Sequence, residues 1–430
     1  MEYLERIADA ELQLRLSAMG AVYIKGPKWC GKSTTAGQQA KSTIWLQDPD
    51  NRAEYQVTGL TMPSVLLRGE NPRLIDEWQD IPLIWDAVRM EVDKRSKPGQ
   101  FILTGSNAVD TKEIMHTGTG RISRMQMLPM SLWESRESTG EVSLQNLFDN
   151  PGQDIEGISK MEIADIIFAA CRGGWPATLH AKTNEAKLLT AVDYVNSVCD
   201  YDISNVDKVS RDPKLARMIM RSYARNISTF AKKTSMLNDI VASDNIECSR
   251  NTYDDYIKAL EKLYVINDLD AWCPAIRSKT VIRSSPKRCF CDPSVAVAAL
   301  GLTPDALQMQ LKTFGFIFEQ LCIRDLRAFT QNKYSARLSY YHDRYGLEAD
   351  IVLHLGDDRY ALIECKLGSR EIDDGAKHLL ELKSLIEQHN QTEKQMPIRL
   401  PDVLMILTGG QYAYRRNDGV YVVPIGCIKP

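Results

Sequence analysis

Short apolar runs separated by polar, helix-compatible stretches set the rhythm of the first third of the chain. Val22–Ile24, Ile44–Leu46, Val65–Leu67, Leu74–Ile75 and Phe101–Leu103 are the runs. Continuous rather than alternating apolar character suits strands covered on both faces, so the pattern predicts a parallel α/β sheet with crossover helices. Thr34 to Ala40 is one predicted helix. Residues 136–160 are rich in Ser, Gly, Asn, Asp and Pro and read as an exposed connection. Residues 161–275 return to a helical period, with Ile163, Ile166 and Ile167 forming one apolar stripe. A basic loop bearing Ser and Pro spans 276–290, and 310–430 is again mixed α/β. Internal repeats and low-complexity tracts are not visible.

The middle stretch has further organisation. Lys214 to Phe230 reads as an amphipathic helix, and Met236 to Ile240 as a short helical piece. Ser249 caps a helix running through Tyr256, Leu260 and Leu263, and Val265–Leu269 follows as a strand. Helices followed by strands in this order resemble a winged helix. Eight Lys or Arg stand against two Asp between Val206 and Lys233, and Arg277, Lys279, Arg283, Lys287 and Arg288 follow. A basic wing of this kind would neutralise phosphates, making DNA a candidate partner.

Composition narrows the class. The 430 residues are 44% hydrophobic and 25% charged, as in ordinary globular proteins of two to three domains. No apolar run approaches about 18 residues, so no membrane partner is expected. Met1 to Leu14 mixes acids and arginine in an amphipathic pattern rather than a signal peptide, and the expected compartment is the cytoplasm. A net charge of −3 excludes a uniformly basic nucleic-acid binder but leaves room for a local basic face. Ten cysteines lack any C-x-x-C pair, which predicts reduced thiols and no structural zinc.

Chemistry enters at Gly26-Pro27-Lys28-Trp29-Cys30-Gly31-Lys32-Ser33, with Thr34 after it. This is a complete G-x-x-x-x-G-K-[ST] phosphate loop between a predicted strand and a predicted helix. Its glycines let backbone N–H groups turn toward a phosphate. Lys32 would reach the β- and γ-phosphates, and the Ser33 hydroxyl would sit on Mg²⁺. About forty residues on, Leu74-Ile75-Asp76-Glu77 resembles a Walker B strand. Asp76 would support the metal and Glu77 would polarise the attacking water. Thr104, Ser106 or Asn107, at the tip of the next strand, would orient the water or the γ-phosphate. Arg121 and Arg124 are candidate arginine fingers offered to a neighbouring subunit, which would make the chain a homo-oligomer.

A second constellation lies near the C-terminal end. Asp350 is followed by Glu364 and Lys366, on two strands that form a hairpin around Gly356-Asp357-Asp358. Glu364 and Lys366, two apart on a strand, share a face. Glu319 lies upstream in a helical segment. Asp350 and Glu364 are hard oxygen ligands suited to Mg²⁺, Glu319 could complete the shell, and Lys366 could activate water or stabilise charge, as metal-dependent phosphodiester cleavage requires.

These stretches, with Leu103–Asn107, Gly120–Arg124, Pro129-Met-Ser-Leu-Trp-Glu134 and Gly173-Gly174-Trp175-Pro176, resemble a widespread prokaryotic family of AAA-type ATPases. That family carries a restriction-endonuclease-like C-terminal domain. The resemblance implies ATP as the nucleotide, and it favours Asn107 among the strand-tip residues. It implies an N-terminal P-loop NTPase α/β domain over 1–140 and a linker and helical lid-like segment over 141–205. A winged-helix-like domain over 206–290 and an α/β restriction-endonuclease-like domain over 291–430 follow. The expected function is a Mg²⁺-dependent ATPase whose cycle controls the later domains, acting on DNA. The alternative is a nucleotide-dependent switch binding a protein partner, with a silent nuclease-like domain. Packing alone accounts for Trp133 and Trp175 at this level.

Overall fold

The computed structural model describes residues 3–106, 114–244, 248–272, 285–331, 336–392, 395 and 397–430. Helix α1 (Ile7–Ala18) leads into β1 (Ala21–Lys25), and α2 (Lys32–Gln39) starts inside the phosphate loop. Then come β2 (Ser42–Trp45), α3 (Arg52–Thr61), β3 (Arg73–Asp76), α4 (Leu83–Arg95), β4 (Phe101–Gly105) and β5 (Ile122–Gln126). The strands form one parallel sheet in the order β2-β3-β4-β1-β5. Period-2 side-chain alternation separates its two cores. Ala21 and Tyr23 of β1 pack on one face with Phe101 and Leu103, while Val22 and Ile24 pack on the other with Ile102.

One expectation for this region changes. Val65–Leu67 is not a strand. Pro63–Val65 is a 3-10 turn, and Leu66 and Leu67 are buried beside Ile81 and Trp85 in the core. A proline start and burial from a turn explain apolar residues there without a sheet partner. The Gly120–Arg124 stretch is largely strand, because β5 begins at Ile122 and pairs with β1.

Residues 136–160 form no free connection. They contain β6 (Val142–Ser143), α5 (Leu144–Asp149) and β7 (Gly157–Ile158), and both strands pair with C-terminal segments. A helical region follows: α6 (Ile163–Arg172), α7 (Asn184–Ser197), α8 (Ile203–Asn205), α9 (Pro213–Arg225), α10 (Lys233–Asp244) and α11 (Arg250–Lys262). The Ser249 side chain caps α11 by accepting from Thr252 N–H at 3.1 Å. After α11, antiparallel bridges join Ile266 to Phe290 and Leu269 to Lys287.

Helices α12 (Pro293–Leu300), α13 (Pro304–Met309) and α14 (Leu311–Thr330) precede β8 (Arg337–His342), β9 (Glu348–His354) and β10 (Tyr360–Lys366). Helix α15 (Ile372–Thr392), β11 (Val403–Thr408), β12 (Tyr412–Arg415), β13 (Tyr421–Pro424) and β14 (Ile428–Lys429) complete the chain. The second sheet runs β7-β12-β13-β11-β10-β9-β8. Its central strands β10, β11 and β13 are parallel, and the flanking pairs are antiparallel. One face, with Ile351, Ile363 and Met405, packs against α14 in the large central core; the other, with Val352, Leu362 and Ile406, packs against α15. Among the described residues no helix is long and apolar enough to cross a membrane.

Candidate functional site

The phosphate loop leaves the C-terminal end of β1 and enters α2 at Lys32. Gly26 has φ 151°, and a Cβ there would lie 2.2 Å from the Met127 carbonyl oxygen, so only glycine lets the loop pass β5. Trp29 takes a left-handed φ of 64°, a conformation that costs a bulky residue energy and is kept where the surroundings enforce it. The Lys32 ammonium is buried and donates to the carbonyls of Gly26 at 3.0 Å and Pro27 at 2.8 Å. It is thereby held within the loop whose phosphate it would serve.

Strand β4 lies between β1 and β3 and so carries its tip between the loop and the Asp76-Glu77 pair. Thr104 Oγ1 donates to Asp76 Oδ1 at 2.7 Å and accepts from Glu77 N–H at 3.3 Å. Ser106 Oγ donates to Glu77 Oε2 at 3.2 Å, and the Gln79 amide donates to the same carboxylate. Glu77 has φ 53°. Of the strand-tip candidates, Thr104 thus holds Asp76 and Ser106 holds Glu77. Asn107 lies outside the described residues.

One cavity of about 730 Å³ is lined by Lys28, Trp29, Gly31, Lys32, Ser33 and Thr34 of the loop and by Glu77 and Ser106 opposite. Further wall comes from Tyr3, Leu4 and Arg6 of the N-terminal segment and from Pro176, Ala177, His180 and Thr190. The size falls within the range of small-molecule sites. Arg121 and Arg124 are not in this wall. Arg121 precedes the β5 end paired with Ala21, at the far end of β1 from the loop, and is bound to Asp93 at 2.7 Å. Arg124 donates to the Thr117 carbonyl at 2.9 Å and lies over the Trp85 ring.

The loop is braced by groups that local sequence does not reveal. Arg6 is buried and donates to the Cys30 carbonyl and the Leu128 carbonyl, each at 2.8 Å, and to Glu134 Oε1 at 2.9 Å. Glu134 also accepts from Ile7 N–H and from the Ser131 N–H and hydroxyl. Burial opposes its charge, yet Arg6 and these donors hold its carboxyl below the usual range. The Pro129–Glu134 motif is therefore the anchor of the arginine that ties down Cys30. Leu132 N–H then donates to Asp325 Oδ2 on α14 at 2.9 Å. Asp325 pairs with Arg324, which reaches Asp292 at 3.3 Å, and Asp292 Oδ2 accepts from Gly174 N–H at 2.9 Å. Gly174 is glycine because a Cβ would stand 2.2 Å from the Met130 carbonyl oxygen. Trp175 is fully buried, stacks on Tyr194 and donates to Ser294 Oγ at 3.0 Å. Trp133 is exposed and lies over Gly140. Lys28 pairs with Asp202 at 2.7 Å, linking the loop to the segment after α7.

The C-terminal candidates gather around a residue not expected there. Lys287 is fully buried. Its ammonium donates to Glu319 Oε1 at 2.6 Å, to Glu348 Oε1 and Asp350 Oδ1 at 3.3 Å each, and to the Asp350 carbonyl at 3.2 Å. Asp350 Oδ2 accepts from Cys365 N–H at 2.8 Å, which fixes Asp350 beside β10. Lys366 and Glu364 pair at 2.5 Å, and His378 of α15 stands 3.7 Å from the other Glu364 oxygen. Burial pushes Glu319 and Glu364 up to about 8, with the Asp350 charge acting the same way. Burial also opposes the Asp350 charge, but Lys287 and Lys366 prevail and hold its carboxyl low. Lys287 keeps its proton because Glu319, Asp350 and Glu348 outweigh its burial. The expectation that Lys287 and Arg288 form a phosphate-facing basic wing is overturned. Lys287 is enclosed by carboxylates, and buried Arg288 is bound to Asp268 at 2.7 Å and to the Ala231 carbonyl. Arg277, Lys279 and Arg283 lie outside the described residues.

Residues 19–135 match the model of an AAA domain. Residues 163–306 and 314–428 match two domains of unknown function, DUF8612 and DUF4143. Uncharacterized proteins of Mycobacterium tuberculosis and Mycobacterium bovis are each 24% identical over 323 residues, covering 74% of this chain. The aligned stretch spans 65% of the length of those relatives. A Walker-type ATPase of Pyrococcus abyssi superposes with a TM-score of 0.41 at 11% identity, over 69% of this chain and 96% of its own. The AAA match, the parallel sheet and the phosphate loop together support an AAA-type, ATP-binding protein with a P-loop NTPase fold at its N-terminal end.

Proposed function

We propose that this chain is a Mg²⁺-dependent ATPase whose nucleotide state sets the arrangement of the helical and C-terminal regions. The observation that carries it is the shared cavity: phosphate loop on one wall, Glu77 on the other. The residues fit Mg²⁺-ATP. Gly26 clears the path of the loop, Lys32 supplies a buried ammonium, and Ser33 and Asp76 supply a hydroxyl and a carboxylate for the metal. Bound Mg²⁺ would neutralise charge on the transferring phosphoryl group. Lys32 exchanges two loop carbonyls for phosphate oxygens. Thr104 keeps Asp76 oriented, and Glu77 accepts the proton of the attacking water once it leaves Ser106 and Gln79. Release of Glu77 is thus a step that links nucleotide binding to turnover. Lys28–Asp202, the Arg6–Glu134 pair and the Leu132–Asp325 bond support transmission to the rest of the molecule. The test is ATP turnover by wild type beside Lys32→Ala and Ser106→Ala. Lys32→Ala removes binding and turnover, whereas wild-type turnover that survives it rules the reading out.

DNA contact is a second reading, favoured by α9. Lys214, Arg217, Arg221 and Arg225 form one exposed face of that helix and line a groove of about 530 Å³ with α7, α10 and α12. Their rows span roughly 16 Å at 1.5 Å per residue, enough for several phosphates. Helices α9, α10 and α11 followed by the bridges of Ile266 to Phe290 and Leu269 to Lys287 support a winged-helix-like unit. On α9, Arg217 pairs with Asp200 at 2.6 Å and Arg225 with Asp239 at 2.9 Å, so the reading rests on Lys214 and Arg221; on α11, Asp254 pairs with Lys233 and Asp255 with Arg211. In this reading α9, rather than α11, meets the phosphates. Charge reversal at Arg221 should weaken DNA binding and flatten its salt dependence, and unchanged binding would remove the reading.

A further inference from the structure

The C-terminal constellation looks like a metal-dependent hydrolytic centre when read from Asp350, Glu364 and Lys366 alone. The folded geometry does not fit a divalent ion. The point where Glu319, Glu348 and Asp350 converge is filled by the Lys287 ammonium, within 2.6–3.3 Å of one oxygen from each. Both Asp350 carboxylate oxygens are engaged, one by Lys287 and one by Cys365 N–H. Glu364 is engaged through one oxygen by Lys366, and only its Oε1 lacks a hydrogen-bond partner. The rings of Phe230 and Tyr340 cover the ammonium at 5.4 and 5.8 Å, a cation–π enclosure that leaves no exposed face. Among the described residues no group of three His, Cys, Asp or Glu side chains is arranged to hold a metal.

We infer that Lys287 is a built-in cation that takes the place of a divalent metal, so that the carboxylate cluster is a structural clasp and not a phosphodiesterase. The backbone gives the clasp its role. Lys287 exchanges two hydrogen bonds with Leu269, at 2.9 and 3.0 Å, so its main chain belongs to the segment that follows α11. Its side chain reaches α14 and β9. One lysine therefore fastens the helical middle to the C-terminal sheet. A buried ammonium opposite these three carboxyl groups tolerates removal poorly, because the buried Asp350 charge loses the ammonium it faces. A divalent ion is the natural substitute if the lysine is shortened. The inference is independent of ATP chemistry, and its failure would leave the nucleotide site untouched.

The experiment is Mn²⁺ binding to the full chain without nucleotide, followed by electron paramagnetic resonance, with Ser33→Ala in every protein to silence the phosphate loop. Without further substitution the protein should bind no Mn²⁺ that Asp350→Asn removes. Lys287→Ala should gain one Mn²⁺, lost again in the Lys287→Ala, Asp350→Asn double variant. Stoichiometric binding that Asp350→Asn alone abolishes would overturn the inference, as would a folded Lys287→Ala that takes up no metal. Should Lys287→Ala not fold, the comparison of Lys287-containing protein with Asp350→Asn still decides. Incubation of the same proteins with linear DNA and Mn²⁺ is the parallel arm: no Asp350-dependent cleavage is expected, and such cleavage overturns the clasp.

Discussion

Single residues carry the proposed chemistry, and the structure separates their duties. The carboxylates of Asp76 and Glu77 have different partners, Thr104 for one and Ser106 with Gln79 for the other, while Thr104 also accepts from Glu77 N–H. Two predictions follow from that division. Thr104→Val keeps the shape of the strand tip but removes the donor to Asp76, so metal-dependent turnover should fall while nucleotide binding persists; steady-state kinetics against Mg²⁺ concentration checks it. Ser106→Ala frees Glu77 from one of its two holders, so turnover should hold or rise; a loss as deep as that of Glu77→Gln would place Ser106 in the chemistry. The loop, Asp76 and Glu77 were legible in the sequence because each motif is local and its residue types follow from phosphate and metal chemistry. Arg6 was not legible. Its carboxylate partner lies 128 positions away, and an arginine near a chain start has no local mark of burial.

At the scale of elements, buried charge explains stretches for which the sequence offered only packing. The segment ending in Glu134 turns back to receive Arg6 and Ile7. Glu134→Ala would leave Arg6 buried without its carboxylate, a loss of about 3–5 kcal/mol in stability. Denaturant unfolding checks it, and the variant should also bind nucleotide more weakly because Cys30 loses its brace. Glu348 had a sequence signal that went unused: it stands two residues before Asp350 on β9, a spacing that puts both on one face. Lys287 had none, sitting among basic residues that read as a phosphate-neutralising wing. The clasp also has a pH signature. Burial raises Glu319 from 4.5 to about 8, so the stability gained from its protonated form is complete below about 4.5 and is lost as pH rises through about 8. Melting temperature should therefore fall between pH 6 and pH 9, and Glu319→Gln should fall less over the same window.

The whole molecule is more continuous than the matched segments suggest. From the stretch read as a connection, β7 extends the second sheet by pairing with β12, and β6 pairs with β14 in a separate two-stranded sheet, so both tie that stretch to the C-terminal region. The Arg6, Glu134, Asp325, Arg324 and Asp292 network crosses all three matched segments. The sequence pattern located the regions, since periodicity reports which face is buried. It could not locate the joints, since their partners are far apart along the chain, as Leu132 is 193 residues from Asp325. A molecule joined in this way should respond to nucleotide as a unit. Hydrogen exchange with and without Mg²⁺-ATP should change at α14 as well as at α2, whereas a change confined to 19–135 would mean that the joints transmit nothing.

The central claim is that the loop at Lys32 and the carboxylate of Glu77 form one ATP-hydrolysing site. Single-turnover hydrolysis of Mg²⁺-ATP by wild type and Glu77→Gln, with nucleotide affinity measured on both, tests it most directly. The account predicts equal or tighter ATP binding by Glu77→Gln with hydrolysis slowed at least about a hundredfold, the scale of general-base loss. Hydrolysis at the wild-type rate in Glu77→Gln, or a wild type that binds no ATP, would contradict it.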